Sequence, residues 1–288
     1  QNGITLEVNY SGSLDAVDTL MNTHAYDAVW LSHAKYLQLV PEVKAQIAAS
    51  EKTMYSQVVM GIKKEKAAAF GWDSKAPTWK DISQEITKGK LTFAMTNPSG
   101  SNTGFVTLVG LASSFSGKSD ALGVEDIPVE KLKAFLSGVT LTSGSSGDLA
   151  TKFQANPGVA DAIINYESVV KNLGPGYVVI KPQDGVVTAD YPFMLIKSSN
   201  KKDAYDKILS FLRNEQTQKG IVVQTGRNPL NGSDDSSVVN ELPFPSSLAV
   251  VDAILSGYLN EYSKPSVNFF VLEDRKSTRL NSSHGYIS

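Results

Sequence analysis

An α/β fold is predicted by three features of this sequence. Short apolar strands recur along the chain, and each is followed by a helical stretch. Small polar loops sit where strand passes into helix. Alternation of this kind runs through most of the chain, which argues for largely parallel sheets.

The stretch that organises the rest is 91–105. Leu91, Phe93 and Met95 alternate with smaller residues as in a strand, Pro98 stops it, and the apolar run 105–115 supplies a helix. Between them, Ser99, Gly100, Ser101, Asn102 and Thr103 offer small donors where the first N–H groups of a helix have no internal partner. Two readings stand for this loop. It caps the helix, or it cradles a ligand whose acceptor meets those N–H groups and the positive end of the helix dipole. It is not a nucleotide P-loop, since 100–104 lacks the Gly-Lys-Ser/Thr ending.

The other elements follow in order. Residues 4–10 alternate Ile, Leu, Val and Tyr with polar residues as a strand would, and Ser11-Gly12-Ser13 turns into a helix over 15–21. A second strand, 26–31, ends at Ser32 and His33. A third, 56–62, precedes the alanine-rich stretch 63–70. Thr78 is placed to cap a helix over 79–87, with Asp81 and Glu85 near its start and Lys88 near its end, as the dipole prefers. Residues 126–135 read as helix and 139–142 as a short strand. Ser143-Gly144-Ser145-Ser146-Gly147-Asp148 then forms a second donor-rich loop before a helix over 149–154. Asn165-Tyr166-Glu167-Ser168 abuts apolar residues and reads as a pocket wall. Strands are expected at 177–180 and 185–187 and an apolar segment at 193–196, followed by helices at 202–213 and 215–224. The polar stretch 231–237 reads as a linker or exposed loop. Ser247 can cap an amphipathic helix over 248–262, and 267–272 looks like a new strand.

Composition narrows the function. With 288 residues the chain has room for one or two domains, and its net charge of −2 with both signs interspersed gives no basic surface for nucleic acid or anionic membrane. No apolar run is long enough to span a bilayer as a helix. Cysteine is absent and only three histidines occur, which removes thiol catalysis, disulfides and ordinary zinc sites. An enzyme would have to use a serine with His24 or His33, yet 144–147 is not Gly-x-Ser-x-Gly and no nucleophile and base stand in a recognisable pattern. The chain is not expected to be an enzyme. Trp30, Trp72 and Trp79 sit in apolar or capping contexts that suit core packing.

A series of segments carries a family resemblance: 12–17, Ala28-Val29-Trp30, 56–61, Gly71-Trp72, 78–82, 96–105, 143–147, 165–168 and Ala189-Asp190-Tyr191-Pro192. In this order they resemble bacterial extracellular solute-binding proteins of the type II, two-lobed class, in the branch where that module precedes a von Willebrand factor A-type domain. The resemblance covers most of the chain. It implies two α/β lobes joined by crossing strands near 56–59 and 190–195, with the ligand held between them. Residues 1–56 with 191–230 would form lobe I and 57–190 lobe II. Residues 231–265 would be linker and amphipathic helix, 266–273 the start of a truncated A-type domain, and 274–288 a non-native tail resembling a sequencing adapter. The family's first strand and export signal would precede Ile4, so the chain reads as a fragment of an extracellular or cell-envelope protein.

No cofactor is expected. Where the A-type family has its Asp-x-Ser-x-Ser metal site this chain has Glu273, Asp274 and Arg275, so no metal site is inferred. The expected partner is a small polar solute, with an oxyanion, a sugar and an amine all open. A membrane transporter is a further candidate partner, and a monomer is expected. The ligand-binding candidates are Ser11, Gly12, Ser13, Ser32, Ser56, Asn97, Ser99, Ser101, Asn102, Thr103, Ser143, Ser145, Ser146, Asn165, Glu167, Asp190 and Tyr191. Neutral donors suit an ionised oxyanion, whereas Glu167 and Asp190 would favour a protonated anion, a polyol or an amine, or else serve hinge hydrogen bonds. A ligand-less adhesion or scaffold module is the alternative class. A cleft filled by side chains would favour it.

Overall fold

Apolar alternation becomes a strand here where a neighbouring strand is present to pair with it. The computed structural model describes residues 3–118, 121–230 and 240–262, and among these nine strands form two sheets. They are β1 (Ala28–Trp30), β2 (Ile47–Glu51), β3 (Ser56–Lys63), β4 (Phe93–Thr96), β5 (Val139–Ser143), β6 (Ala162–Tyr166), β7 (Tyr177–Ile180), β8 (Val187–Ala189) and β9 (Phe193–Ile196).

The smaller sheet has the order β1-β9-β2, with β9 antiparallel to both neighbours. The larger sheet runs β5-β4-β6-β3-β7, with β8 also paired to β3. Parallel pairing is concentrated around β4, which lies parallel to β5 and β6, while β3 is antiparallel to β6, β7 and β8. The α/β, two-lobed architecture is therefore as expected, but in place of the expected largely parallel sheets the larger sheet is mixed and the smaller one antiparallel. The reversal at β3 has a simple cause: β3 leaves the crossing between the sheets, and its three partners run back toward it.

Each sheet is covered on both faces, so its strands alternate between two apolar layers. In β9, Met194 and Ile196 pack with Val17 and Leu20 of helix Ser13–Asn22, while Phe193 and Leu195 pack with Tyr205 and Leu212 of helix Lys202–Arg213. In β3, Val58, Met60 and Ile62 face the main core with Phe105 and Phe135, and Val59 faces Leu149 and Phe153. Helix Leu248–Gly257, which ends in one π turn, adds Val250, Val251 and Ile254 to that main core. None of the described helices is long and apolar enough to cross a membrane.

Four expectations change. Residues 4–10 are not a strand: they have no ladder partner among the described residues, and Leu6, Val8 and Tyr10 are exposed. Ile47–Glu51 is a strand that the sequence reading does not assign. The first crossing lies at 52–55, just before the expected segment. The helix expected over 126–135 is divided into a 3₁₀ turn, Val124–Asp126, and helix Val129–Leu136, because Pro128 disfavours helical geometry at Ile127. The strand expected at 267–272, the linker at 231–237 and the tail at 274–288 lie outside the described residues.

Candidate functional site

Helix Asn102–Ser116 begins where β4 ends, and glycine permits the junction. A Cβ on Gly104 would lie 2.2 Å from the carbonyl oxygen of Thr96, so a side chain there would push the helix off the strand. With Gly104 in place, its N–H donates to Thr96 Oγ1 at 2.8 Å. The N-cap residue Ser101 does not cap with its side chain. The backbone N–H groups of Asn102 and Thr103 consequently have no partner among the described residues, although both residues are buried.

The two loops singled out in the sequence meet through hydroxyls. Thr103 Oγ1 lies 2.7 Å from Thr96 Oγ1, 2.9 Å from Ser146 Oγ and 3.4 Å from Ser101 Oγ. Asn165 Nδ2 donates to the Ser146 carbonyl at 2.8 Å, tying β6 to the second loop. Asn97 organises the first loop by accepting from Ser99 N–H and Ser99 Oγ, and its own N–H donates to the Ser143 carbonyl.

On the other side of this loop stand Ser32 and the start of helix Ser13–Asn22. A Cβ on Gly12 would be 3.4 Å from the Gly100 carbonyl, so the lobes approach closely at their glycines. Tyr166, at the end of β6, stands between the two sides: Asn102 Nδ2 donates to its hydroxyl at 3.0 Å, and the Ser32 side chain lies near that hydroxyl. Burial pushes the Tyr166 hydroxyl up to about 12, so it stays protonated and serves as a neutral donor and acceptor. Tyr191 stands beside it, ring centroids 6.3 Å apart, in the second crossing. Its φ of 41° is the one positive value at a non-glycine residue among those described. Its N–H donates to the Ser32 carbonyl, and its carbonyl accepts from Thr53 Oγ1 and Trp30 Nε1.

Arg227 completes the wall. Its guanidinium carbon lies 4.8 Å from the centroid of the Tyr191 ring. Three polar atoms of this group are buried without a partner among the described residues: Asn102 Oδ1, the Tyr191 hydroxyl and Arg227 Nε.

The structure sorts the expected residues by what already holds their side chains. Asn102 and Tyr191 lie against Tyr166, the Ser32 carbonyl accepts from the Tyr191 N–H, and Thr103 links Ser101 and Ser146. Ser13 is buried at the facing helix start, while Ser11 is exposed and donates only to its neighbour's carbonyl. Other candidates are committed to protein partners: Ser143 donates to Asp148, Ser145 caps helix Ser146–Ala155, and Ser56 pairs with Ser168. Glu167 is flanked by Lys171 and Lys181 at 3.0 and 3.2 Å, and Asp190 by Lys52 at 3.3 Å. Lys171 and Lys181 both meet Glu167 at Oε1, and its Oε2 is buried without a partner among the described residues. Two surface hollows lie elsewhere, beside Phe70 and Trp72 and beside Phe211 and Asn214.

Arg227 and Tyr166 are missing from the residues singled out by sequence. Tyr166 falls inside the tetrapeptide read as a pocket wall, so its neighbours signalled it. Arg227 follows a helix end in Thr-Gly-Arg-Asn, a context without a chemical motif.

Residues 1–226 match the family model described as "Bacterial extracellular solute-binding protein". No curated protein matches by sequence. Among solved structures, the chain is similar to a periplasmic thiamin binding protein (TM-score 0.63, 13% identity, covering 88% of this chain and 85% of that one). It is also similar to a ferric binding protein from Campylobacter jejuni (0.63, 16%, 88% and 88%). A third is the sulfate-binding protein SubI from Mycobacterium tuberculosis H37Rv (0.54, 15%, 92% and 83%). At these identities the likeness is one of fold.

Proposed function

Because the chain belongs to the family of bacterial extracellular solute-binding proteins, we propose that it captures a small polar solute, rich in hydrogen-bond acceptors, in the cleft between its two lobes. The lobes in this reading are 1–56 with 191–230, and 57–190. The observation that carries it is the set of unused polar groups converging from both lobes: the N–H groups of Asn102 and Thr103, Asn102 Oδ1, the Tyr191 hydroxyl and Arg227 Nε. Buried polar groups are almost always paired, so a concentration of unpaired ones at a cleft marks where a ligand supplies the partner. Delivery to a membrane transporter at the cell envelope is the role that fits such capture.

The proteins of similar fold are named for thiamin, ferric ion and sulfate, which differ in the sign of their charge. The fold therefore leaves the solute open, and the cleft's own chemistry has to choose it.

Native mass spectrometry of the protein purified without refolding tests the capture, with titration calorimetry of whatever solute co-purifies. Asn102→Ala and Tyr166→Phe should each weaken binding by roughly 1–3 kcal/mol, since each leaves a partner unpaired in a desolvated cleft. A protein that carries no solute and binds none offered to it would favour the scaffold reading.

A further inference from the structure

We infer that Arg227 is the specificity-determining residue of this cleft, and that it selects a fully ionised oxyanion over neutral or cationic solutes. The inference rests on the proposed capture of a solute between the lobes and names the class of that solute. The charges of the candidate carboxylates are matched by lysine, Asp190 by Lys52 and Glu167 through Oε1 by Lys171 and Lys181, although Glu167 Oε2 is buried without a partner among the described residues. Arg227 has no such match: among the described residues it makes no ion pair, its Nε is buried without an acceptor, and its guanidinium rests on the face of Tyr191. A guanidinium cannot shed its proton, so the charge persists at every physiological pH. Partly withdrawn from water, such a cation calls for an anion.

The surroundings point the same way. The Tyr191 ring holds the guanidinium against its face, and the Tyr191 hydroxyl is a buried donor with no acceptor among the described residues. Tyr166 links this side to Asn102, at the start of a 15-residue helix whose first two N–H groups are also unused. Cation, hydroxyls and helix start thus present donors from several directions, which suits an oxygen-rich anion with acceptors on more than one side. Glu167 keeps Oε2 unpaired among the described residues but carries two lysines on Oε1, so it offers no net negative charge to an amine.

Calorimetry on the full chain with probes of each charge class tests this. Sulfate, molybdate and phosphate serve as anions, glucose as a neutral polyol, and thiamin and spermidine as cations. At least one anion should bind, and Arg227→Gln should weaken it ten- to a hundredfold. Arg227→Lys should recover part of that loss, and Lys219→Gln, which removes an exposed charge paired with Glu215, should leave binding as it was. Melting curves confirm that the variants are folded. Binding of glucose or a cation in the cleft with no anion bound, or unchanged anion affinity in a folded Arg227→Gln protein, overturns the inference while the capture reading stands. Failure of every probe and of any co-purified solute overturns both.

Discussion

His33 shows how one buried side chain sets a stability limit. Its Nδ1 accepts from the Lys35 N–H at 3.2 Å, which places the ring proton on Nε2, and that atom is buried without a partner. Burial, reinforced by the nearby Lys35 charge, lowers the imidazole from 6.5 to about 3. The folded protein therefore refuses a proton that the unfolded chain accepts below 6.5. The sign follows: stability is unaffected by this group above that pH and falls as the pH drops from 6.5 toward 3. One proton corresponds to roughly 1.4 kcal/mol per pH unit, so about 2 kcal/mol should be lost between 6.5 and about pH 5. Urea unfolding of the wild type and of His33→Gln across that range checks it, because only the wild type should carry the extra slope. Gly104 makes a steric counterpart. Gly104→Ala must separate the helix start from the Thr96 carbonyl, and a loss of roughly 1–3 kcal/mol or more is expected by the same measurement.

At the level of elements, helix Trp79–Thr87 is held by local chemistry visible in the chain. Asp81 N–H donates to Thr78 Oγ1 at 3.1 Å and Thr78 N–H donates to Asp81 Oδ2 at 2.8 Å, a reciprocal cap. Those hydrogen bonds hold the Asp81 carboxyl below its usual range, so the support is present above the ordinary carboxylate pKa and fades as the pH falls through the lowered one. Thr78→Ala should cost about 1 kcal/mol in thermal or urea unfolding, while Thr78→Ser keeps most of it. Elements of this kind were legible because their signals are contiguous. Ile47–Glu51 was not, since Ala48, Ala49, Ser50 and Glu51 have little strand preference and the segment pairs with β9 alone, a partner about 145 residues downstream. Residues 4–10 show the converse, a good pattern with no neighbour. The site divides likewise. Asn102 and Thr103 lie in a loop whose composition announces donors, whereas Arg227 gains meaning only when Tyr191, far from it in sequence, is folded beneath it.

At the scale of the whole molecule, the lobes are joined through one hydrogen-bonded knot rather than by independent strands. Thr53 in the first crossing donates from Oγ1 to the Tyr191 carbonyl in the second at 2.7 Å. Its own carbonyl accepts from Gln218 Nε2 at 2.8 Å, and Gln218 Oε1 accepts from Leu230 N–H at 2.9 Å in the segment that also bridges Tyr55 to Asn228. Three chain passages are thereby fixed to one another, and two of them carry Tyr191 and Arg227. Gln218 is buried, so Gln218→Leu would leave the Thr53 carbonyl and the Leu230 N–H without it, at roughly 1–3 kcal/mol for each orphaned group. Thr53→Val should cost less, because Trp30 Nε1 still donates to the Tyr191 carbonyl at 3.0 Å. The informative quantity is their coupling. If the passages form one unit, loosening either change should leave less for the other to break, and the double variant should be less damaged than the sum of the two by more than about 0.5 kcal/mol. Urea unfolding of the four proteins measures it, and strict additivity would mean that the crossings hold their positions separately, leaving Tyr191 and Arg227 to be aligned by their own contact alone.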